Sequence, residues 1–200
     1  MEDTFKTISK PSEGLFKDKG SKFLSFAFQV NTEDEIREIV QIIRKEHHSA
    51  RHHCYAWRLG ADKLHFRTND DGEPSSTAGK PILGQIQSFD LTNILIVVVR
   101  YFGGTLLGVS GLINAYRNAA LDAINQAEIV EKLIEKWLLV EFDYSAMNDV
   151  MKVFKDEKLS QIDPHFDLKC KIKTNIRLSE SDRIEETLLK IENVSVTEVG

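Results

Sequence analysis

One apolar run that ends in a series of glycines constrains the fold of this chain more than any other segment. Residues 94–99 are continuously aliphatic, long enough for a strand buried on both faces and much shorter than a membrane span. Glycines follow, and apolar residues recur at helical spacing from Leu112. A strand, a glycine loop and a helix N-terminus together favour anion binding, because free helix amides and the helix dipole both attract negative charge. The residues predicted to form this recess are Arg100, Tyr101, Gly103, Gly104, Gly108, Gly111 and Tyr116.

A second polar segment, residues 70–81, combines three carboxylates with glycines, hydroxyls and Lys80. It does not match a nucleotide phosphate loop, because the spacing from Gly72 to Gly79 is too long and a proline replaces the hydroxyl after Lys80. Asp70, Asp71 and Glu73 could hold a divalent metal. The favoured alternative is a turn whose carboxylates cap backbone amides, since no further ligand follows the calcium-loop spacing. We therefore predict neither a metal nor a cofactor.

A histidine and cysteine pair near residue 53 and a serine in the glycine loop are weaker candidates for chemistry. Successive residues of a strand point to opposite faces, so His52 and His53 cannot converge on one ion. Cys54 is interpreted as a small apolar core residue. Ser110 does not sit in a nucleophile elbow, because the glycine spacing around it is wrong.

The charge distribution limits the classes of partner. Basic and acidic residues balance before residue 126, so the net charge of −5 belongs to the C-terminal part. A pI near 5.7 argues against strong nonspecific nucleic-acid binding, and any contact with RNA must be local. The N-terminal residues lack the pattern of a signal peptide and no run is long enough to span a membrane, so we expect a cytoplasmic protein with two reduced cysteines and no membrane partner.

The hydrophobic pattern predicts an α+β chain of two domains, residues 1–128 and 129–200. Residues 5–30 are predicted as two strands around a loop at 11–20, followed by a helix that Thr32 and Glu35 open as a capping box. A strand pair lies over 51–59 and 63–68, and a short helix follows residue 79. From residue 133 onward the predicted order is β-α-β-β-α-β, that of a ferredoxin-like split βαβ domain.

Three ordered motifs resemble the YigZ/IMPACT family. They are DGEP at 71–74, TAGKP at 77–81 and VVVRYFGGTLLGVSGL at 97–112, and the run ARHHCYAW at 50–57 also looks like a family element. The resemblance implies an N-terminal domain like the second domain of a small-subunit ribosomal protein and domain IV of elongation factor G. It implies a C-terminal domain like the ferredoxin-like domains of that factor. Eukaryotic relatives carry an additional N-terminal domain and regulate a translational stress kinase pathway, an interaction that we do not transfer.

The resemblance favours a non-enzymatic binding protein that associates with RNA, the ribosome or another translation partner. The predicted ligand-binding residues outside the glycine loop are Arg51, His52, Asp71, Gly72, Glu73, Thr77, Gly79 and Lys80. The alternative is an enzyme acting on a phosphorylated small molecule or a nucleotide, with Asp71 or Glu73 as base or metal ligand. A third hypothesis makes these motifs a folding device. Ser76 and Ser110 replace usual family glycines, so we expect backbones there that do not require glycine, or hydroxyls that join the site. The sequence leaves the oligomeric state open.

Overall fold

A computed structural model describes residues 3–199 in two compact units. The larger unit is Phe5–Lys132, and the smaller comprises residues 133–199 with Asp3 and Thr4. The main division of the chain falls between Lys132 and Leu133. Among the residues described, no helix is both long enough and apolar enough to cross a bilayer.

The larger unit is built from one five-stranded sheet, three helices and a separate strand pair. Its elements in chain order are β1 (Thr4–Ile8), β2 (Ser12–Asp18), β3 (Ser21–Gln29), α1 (Glu33–Glu46), β4 (His52–Leu59), β5 (His65–Asn69), α2 (Gly79–Ser88), β6 (Ile94–Tyr101), α3 (Gly108–Gln126) and β7 (Ile129–Leu133). The sheet has the order β2-β3-β6-β4-β5 and is antiparallel throughout, while β1 pairs with β7. The sheet is thus a central layer with strand β6 in its middle.

Strand β6 separates two hydrophobic cores. Side chains of Leu95, Val97 and Val99 face the core that helix α1 completes. The alternate residues Ile94, Ile96 and Val98 face the core completed by α2 and α3. All six are fully buried, which confirms the predicted strand with two buried faces. The polar end of this strand, Arg100 and Tyr101, therefore emerges from the centre of the unit.

Helix α1 begins where its capping signal predicted. The amide of Glu35 donates to the Thr32 hydroxyl at 3.2 Å, as a helix cap requires. The Glu35 carboxylate accepts from the amide of Asn31 at 2.7 Å rather than from that of Thr32. The box is therefore displaced by one residue, but both ends of the interaction stabilise the first turn.

The prediction of a loop over residues 11–20 was wrong, because most of that segment is strand β2. Its register pairs Leu15 with Leu24 and Lys17 with Lys22 on the adjacent β3. The connection is a tight turn at Lys19 and Gly20, which both have positive φ (44° and 80°), as a type I′ hairpin requires. Proline and glycine within the segment suggested a loop, but strand pairing is decided by the partner strand.

The smaller unit follows the predicted β-α-β-β-α-β order. Its elements are β8 (Glu135–Asp143), α4 (Met147–Asp156), β9 (Ile162–His165), β10 (Lys169–Arg177), α5 (Ser181–Leu189) and β11 (Val194–Glu198). The strands form an antiparallel sheet of order β11-β8-β10-β9. Both helices contribute to one core with this sheet, which includes Phe154 of α4, Leu188 of α5 and Val140 of β8.

Two glycines in helix α2 give a matched test of its packing. A Cβ built on Gly79 lies 2.8 Å from the Asn69 amide nitrogen and 2.9 Å from Thr68 Cβ, whereas a Cβ on Gly84 meets nothing within 4 Å. We expect Gly79→Ala to lower the free energy of unfolding by about 1–3 kcal/mol, because the helix start must move off strand β5. Gly84→Ala should raise it by about 0.5–1 kcal/mol through helix propensity. Urea unfolding of both variants checks this, and equal effects would contradict it.

Candidate anion-binding site

A buried ion pair lies beneath the end of strand β6. Arg100 Nη1 donates to Glu73 Oε1 at 2.7 Å, with side chains 7% and 3% exposed. The hydroxyl of Tyr116, on helix α3, donates to the same oxygen at 2.8 Å. The loop carrying Glu73 is thereby attached to both β6 and α3. The polar segment 70–81 and the segment that runs from strand β6 into helix α3 therefore meet at this pair, as predicted.

The guanidinium of Arg100 keeps unused capacity for a ligand. Its Nε is buried and has no hydrogen-bond partner within residues 3–199. Its Cζ lies 5.5 Å from the ring centroids of both Phe23 and Phe102, so aromatic faces flank the charge. A buried donor without a partner costs free energy, so an acceptor that reaches this nitrogen would be favoured. Because Nε itself has almost no accessible surface, that contact requires the side chain or the rim of the recess to shift.

Cys54 and Tyr116 extend the polar network inward without making it reactive. The Cys54 Sγ lies 3.0 Å from the Asp70 carbonyl oxygen and 3.3 Å from the Tyr116 hydroxyl oxygen, and the two oxygens compete for its single proton. Burial raises the pKa of Cys54 and that of Tyr116 far above their usual ranges. Both groups therefore stay neutral near pH 7. Tyr116 is fully buried, so its predicted contact with a ligand is corrected to a contact with Glu73.

Asp70 and Asp71 hold the polar loop through backbone amides. Asp70 Oδ1 accepts from the amides of Ala78 and Gly79 at 3.0 and 2.8 Å, at the start of helix α2. Asp71 accepts from the amide of His53 at 2.7 Å and from Arg44 at 2.6 Å. The predicted turn with capping carboxylates is confirmed, and the residue that caps the helix is Asp70.

Three residues of this loop have positive φ. Asp71 and Gly72 have φ of 43° and 86°, which is the turn predicted at this dipeptide. Ser76 also has positive φ, 65°, within the range that a non-glycine residue can adopt, so the backbone here does not require glycine, as expected. Its amide donates to Asp70 Oδ2 at 2.8 Å, which holds the left-handed turn. Ser110 lies in the first turn of α3, where any residue fits.

A recess opens above the ion pair at the N-terminus of helix α3. It has a volume of about 480 Å³, and Arg51, His52 and Arg100 line it together with the first residues of the helix. The residue before the helix, Leu107, supplies no side-chain cap, and the first turn holds no acidic residue. The helix therefore presents unpaired amides and the positive end of its dipole towards the recess. Basic side chains and helix amides together suit an anion.

The predicted site residues divide between this surface and the interior. Those that line the recess are Arg51, His52, Glu73, Arg100 and Gly108. Tyr101 lines neighbouring hollows, and its hydroxyl lies 2.8 Å from His47 Nδ1. The remaining residues stay outside its lining: Asp71, Gly72, Thr77, Gly79, Lys80, Gly103, Gly104, Gly111 and Tyr116.

The residues outside the recess have local roles. Lys80 is exposed on α2, and the Thr77 hydroxyl donates to the Pro74 carbonyl at 2.7 Å. A Cβ on Gly103 would lie 2.0 Å from the carbonyl carbon of Gly20, so this glycine allows two backbones to touch. Gly104 has a φ of 86°, which favours glycine in the turn.

Sequence reasoning missed the exposed apolar rim of the recess. Phe102, Leu106 and Val109 are 56%, 81% and 59% exposed. Phe102 stands inside the family motif, next to Tyr101, and its aromatic ring in a glycine loop was the available signal. Exposed apolar groups beside a basic recess are typical of an interaction surface.

The carboxylates proposed for the enzyme alternative already have protein partners. Glu73 is bonded to Arg100 and Tyr116, and Asp71 to Arg44. Within residues 3–199 no three histidine, cysteine or acidic side chains are grouped as a metal site would require. A role as base or metal ligand would require either carboxylate to give up these contacts.

Comparisons with known proteins agree over most of the chain. The Impact N-terminal domain model matches residues 19–124. IMPACT family member YvyE of Bacillus subtilis is 29% identical over 193 residues, 96% of this chain and 89% of the relative. An IMPACT family member of Haemophilus influenzae is 37% identical over 148 residues, 72% of each chain. A solved structure of a hypothetical protein covers 100% of this chain and 99% of its own, at 25% identity with a TM-score of 0.76.

Fold and site together define a mixed α/β protein of two units, with a basic recess on the larger one. The chain belongs to the IMPACT family, because the family model spans more than half of it and contains the polar loop, strand β6 and most of helix α3. The family resemblance predicted from the three motifs is confirmed.

The buried ion pair can be tested by a double-mutant cycle. We expect Arg100→Met to lower the free energy of unfolding by about 3–5 kcal/mol, because it leaves the Glu73 carboxylate buried without a cation. In a Glu73→Gln background the same substitution should cost clearly less, since no buried charge is left over. Urea unfolding of the four proteins measures the coupling. Equal costs in the two backgrounds would contradict a buried ionic interaction.

Cys54 should resist thiol reagents in the native protein. It is fully buried and its pKa is raised, so little thiolate exists near pH 8, and Cys170 is also fully buried. We expect a disulfide reagent to titrate no thiol in the folded protein and both in urea. Cys54→Ser and Cys170→Ser variants assign any residual reaction, and rapid modification of native Cys54 would contradict the buried network.

Proposed function

We propose that this chain is a non-enzymatic, translation-associated regulator that binds RNA in the recess at the start of helix α3. The observation that carries the proposal is Arg100, which is nine-tenths buried, lines the recess and has an Nε without a hydrogen-bond partner within residues 3–199. A phosphate oxygen is the acceptor that fits a partly paired guanidinium beside free helix amides.

Charge and shape around Arg100 support the same ligand. Arg51 is exposed at the recess, and His52 is half-buried beside it with its Nδ1 2.9 Å from the Asp71 carbonyl. Glu73, the carboxylate among the lining residues, is already bonded to Arg100 and Tyr116. The recess thus offers positive charge that the protein itself does not neutralise. Phe102 at its edge provides an exposed aromatic face for an unpaired base.

Family membership supports the link to translation. The motif resemblance implies domains like those of elongation factor G and a ribosomal protein, and the strand order of the smaller unit is compatible with the ferredoxin-like split βαβ fold. Two-domain organisation with residues 1–128 and 129–200 remains part of this proposal. An RNA or ribosomal partner fits both the fold analogy and the basic recess, and fold analogy alone would be weak support.

Arg51→Ala tests the proposal, because Arg51 is exposed and its loss should leave the fold intact. We expect several-fold weaker binding of a labelled twelve-nucleotide oligouridylate, measured by fluorescence anisotropy. The slope of log affinity against log salt should fall by about 0.7, the change for one phosphate contact with a single strand. Arg67→Ala is the matched control, since Arg67 is exposed on β5 and lines none of the hollows described.

Two outcomes would contradict the proposal. If Arg51→Ala binds like the wild type, or if Arg67→Ala loses as much affinity, the recess is not where phosphate is bound. If purified protein with magnesium turns over phosphorylated metabolites or nucleotides and Asp71→Asn abolishes the turnover, the enzyme alternative is favoured instead.

A further inference from the structure

A second basic hollow shares Phe102 with the recess and has no assigned role. It has a volume of about 570 Å³ and is lined by Lys17, Lys22, His47, Tyr101 and Phe102 with a few apolar residues. It is formed at the ends of strands β2, β3 and β6, on the sheet face that α1 covers elsewhere.

Two lysines in this hollow face each other across a strand pair. Lys17 and Lys22 are direct register partners on β2 and β3, and Lys22 is also the partner of Tyr101 on β6. Side chains directly opposite each other share a face, and like charges in that arrangement are destabilising. Within the described chain neither lysine forms a salt bridge. A bound anion between them would relieve this repulsion.

Tyr101 and His47 form a polar wall beside the lysines. The Tyr101 hydroxyl lies 2.8 Å from His47 Nδ1, and the amide of His47 ends helix α1 through a 2.9 Å bond to the Ile43 carbonyl. The phenol is therefore held in place rather than free to turn away. A phosphate held between the lysines would find a positioned polar neighbour.

The two basic hollows share one aromatic side chain in their linings. Phe102 lines both, and it also lines a third hollow of about 410 Å³ that includes Arg51, Arg100 and Tyr101. Among the described residues that line the three, Glu73 is the one carboxylate, and Arg100 already pairs with it. We call this surface the basic belt, and its basic side chains are Lys17, Lys22, His47, Arg51, His52 and Arg100.

We propose that a single-stranded RNA segment binds along the basic belt, with one phosphate between Lys17 and Lys22, another at the start of helix α3, and a base against Phe102 between them. The inference rests on the proposed function and extends it from one recess to a strand path. A single strand is favoured because an exposed aromatic ring between two anion sites stacks an unpaired base, which a duplex keeps inside its own stack.

Lys17→Ala with Lys22→Ala tests the new end of the path. We expect weaker binding of the labelled oligouridylate and a salt slope lower by up to about 1.4, the value for two phosphate contacts. The melting temperature should not fall, since the substitutions remove a repulsion. Lys152→Ala with Lys155→Ala is the matched control, because both lysines are exposed on α4 and the change in net charge is the same. Equal losses in the two double variants would overturn the path.

Phe102→Ala tests the base contact between the two anion sites. We expect about tenfold weaker binding of the single strand with an unchanged salt slope, because stacking is lost and no charge is removed. A duplex of the same length should compete poorly with the labelled strand. Equal competition by the duplex, or wild-type affinity in Phe102→Ala, would overturn the stacking role.

The pattern of losses separates this inference from the proposed function. If Arg51→Ala weakens binding and the lysine pair does not, RNA binds in the recess alone and the belt is wrong. If neither changes the affinity, both proposals fail. If both weaken binding while the control variants bind as the wild type does, the strand path is supported over its whole length.

Discussion

The buried contact between Arg100 and Glu73 is the constraint on which the rest of the site depends. It joins the end of the central strand to the polar loop, and Tyr116 brings helix α3 to the same oxygen. Burying two charges carries a large desolvation penalty, so such a pair contributes little net stability against an apolar alternative. Its effect is positional, because a carboxylate committed to one guanidinium fixes where the loop can lie. Because Glu73 and Arg100 both line the recess, their contact also fixes the shape of that part of its wall.

The fold was predictable where local pattern and tertiary structure agree. The aliphatic run of β6, the capped start of α1 and the order of elements after residue 133 each carry their own signal in spacing or residue type. Strand β2 was missed because its short sequence looks like a loop and becomes a strand through pairing with β3. The pair β1 and β7 joins residues far apart in the chain, and no local pattern reports such a contact.

The sequence predicted which residues lie together at the site better than it predicted what each residue does there. The two motifs grouped Glu73, Arg100 and Tyr116 correctly, but periodicity cannot tell whether a polar side chain meets a ligand or another side chain. Here these three mainly satisfy one another, as buried polar groups must. Phe102 and Lys17, in contrast, line a surface hollow but were not predicted as site residues. Phe102 lies inside the family motif without a predicted role, and nothing in the local sequence of Lys17 distinguishes it from an ordinary surface residue until the sheet places both beside one hollow.

Net charge was a poor guide to this surface for a physical reason. At physiological salt a charge is screened beyond about 8 Å, so a ligand responds to the groups within that distance and not to the sum over the chain. Acidic residues of the larger unit are engaged elsewhere, as in the contacts of Asp71 with Arg44 and of Asp90 with Lys63. A unit with balanced charge can therefore present a face on which cations are left without partners. Selective binding of an anion requires only that face and an apolar group beside it. Here that group is the ring of Phe102, which favours an anionic ligand that also carries a base.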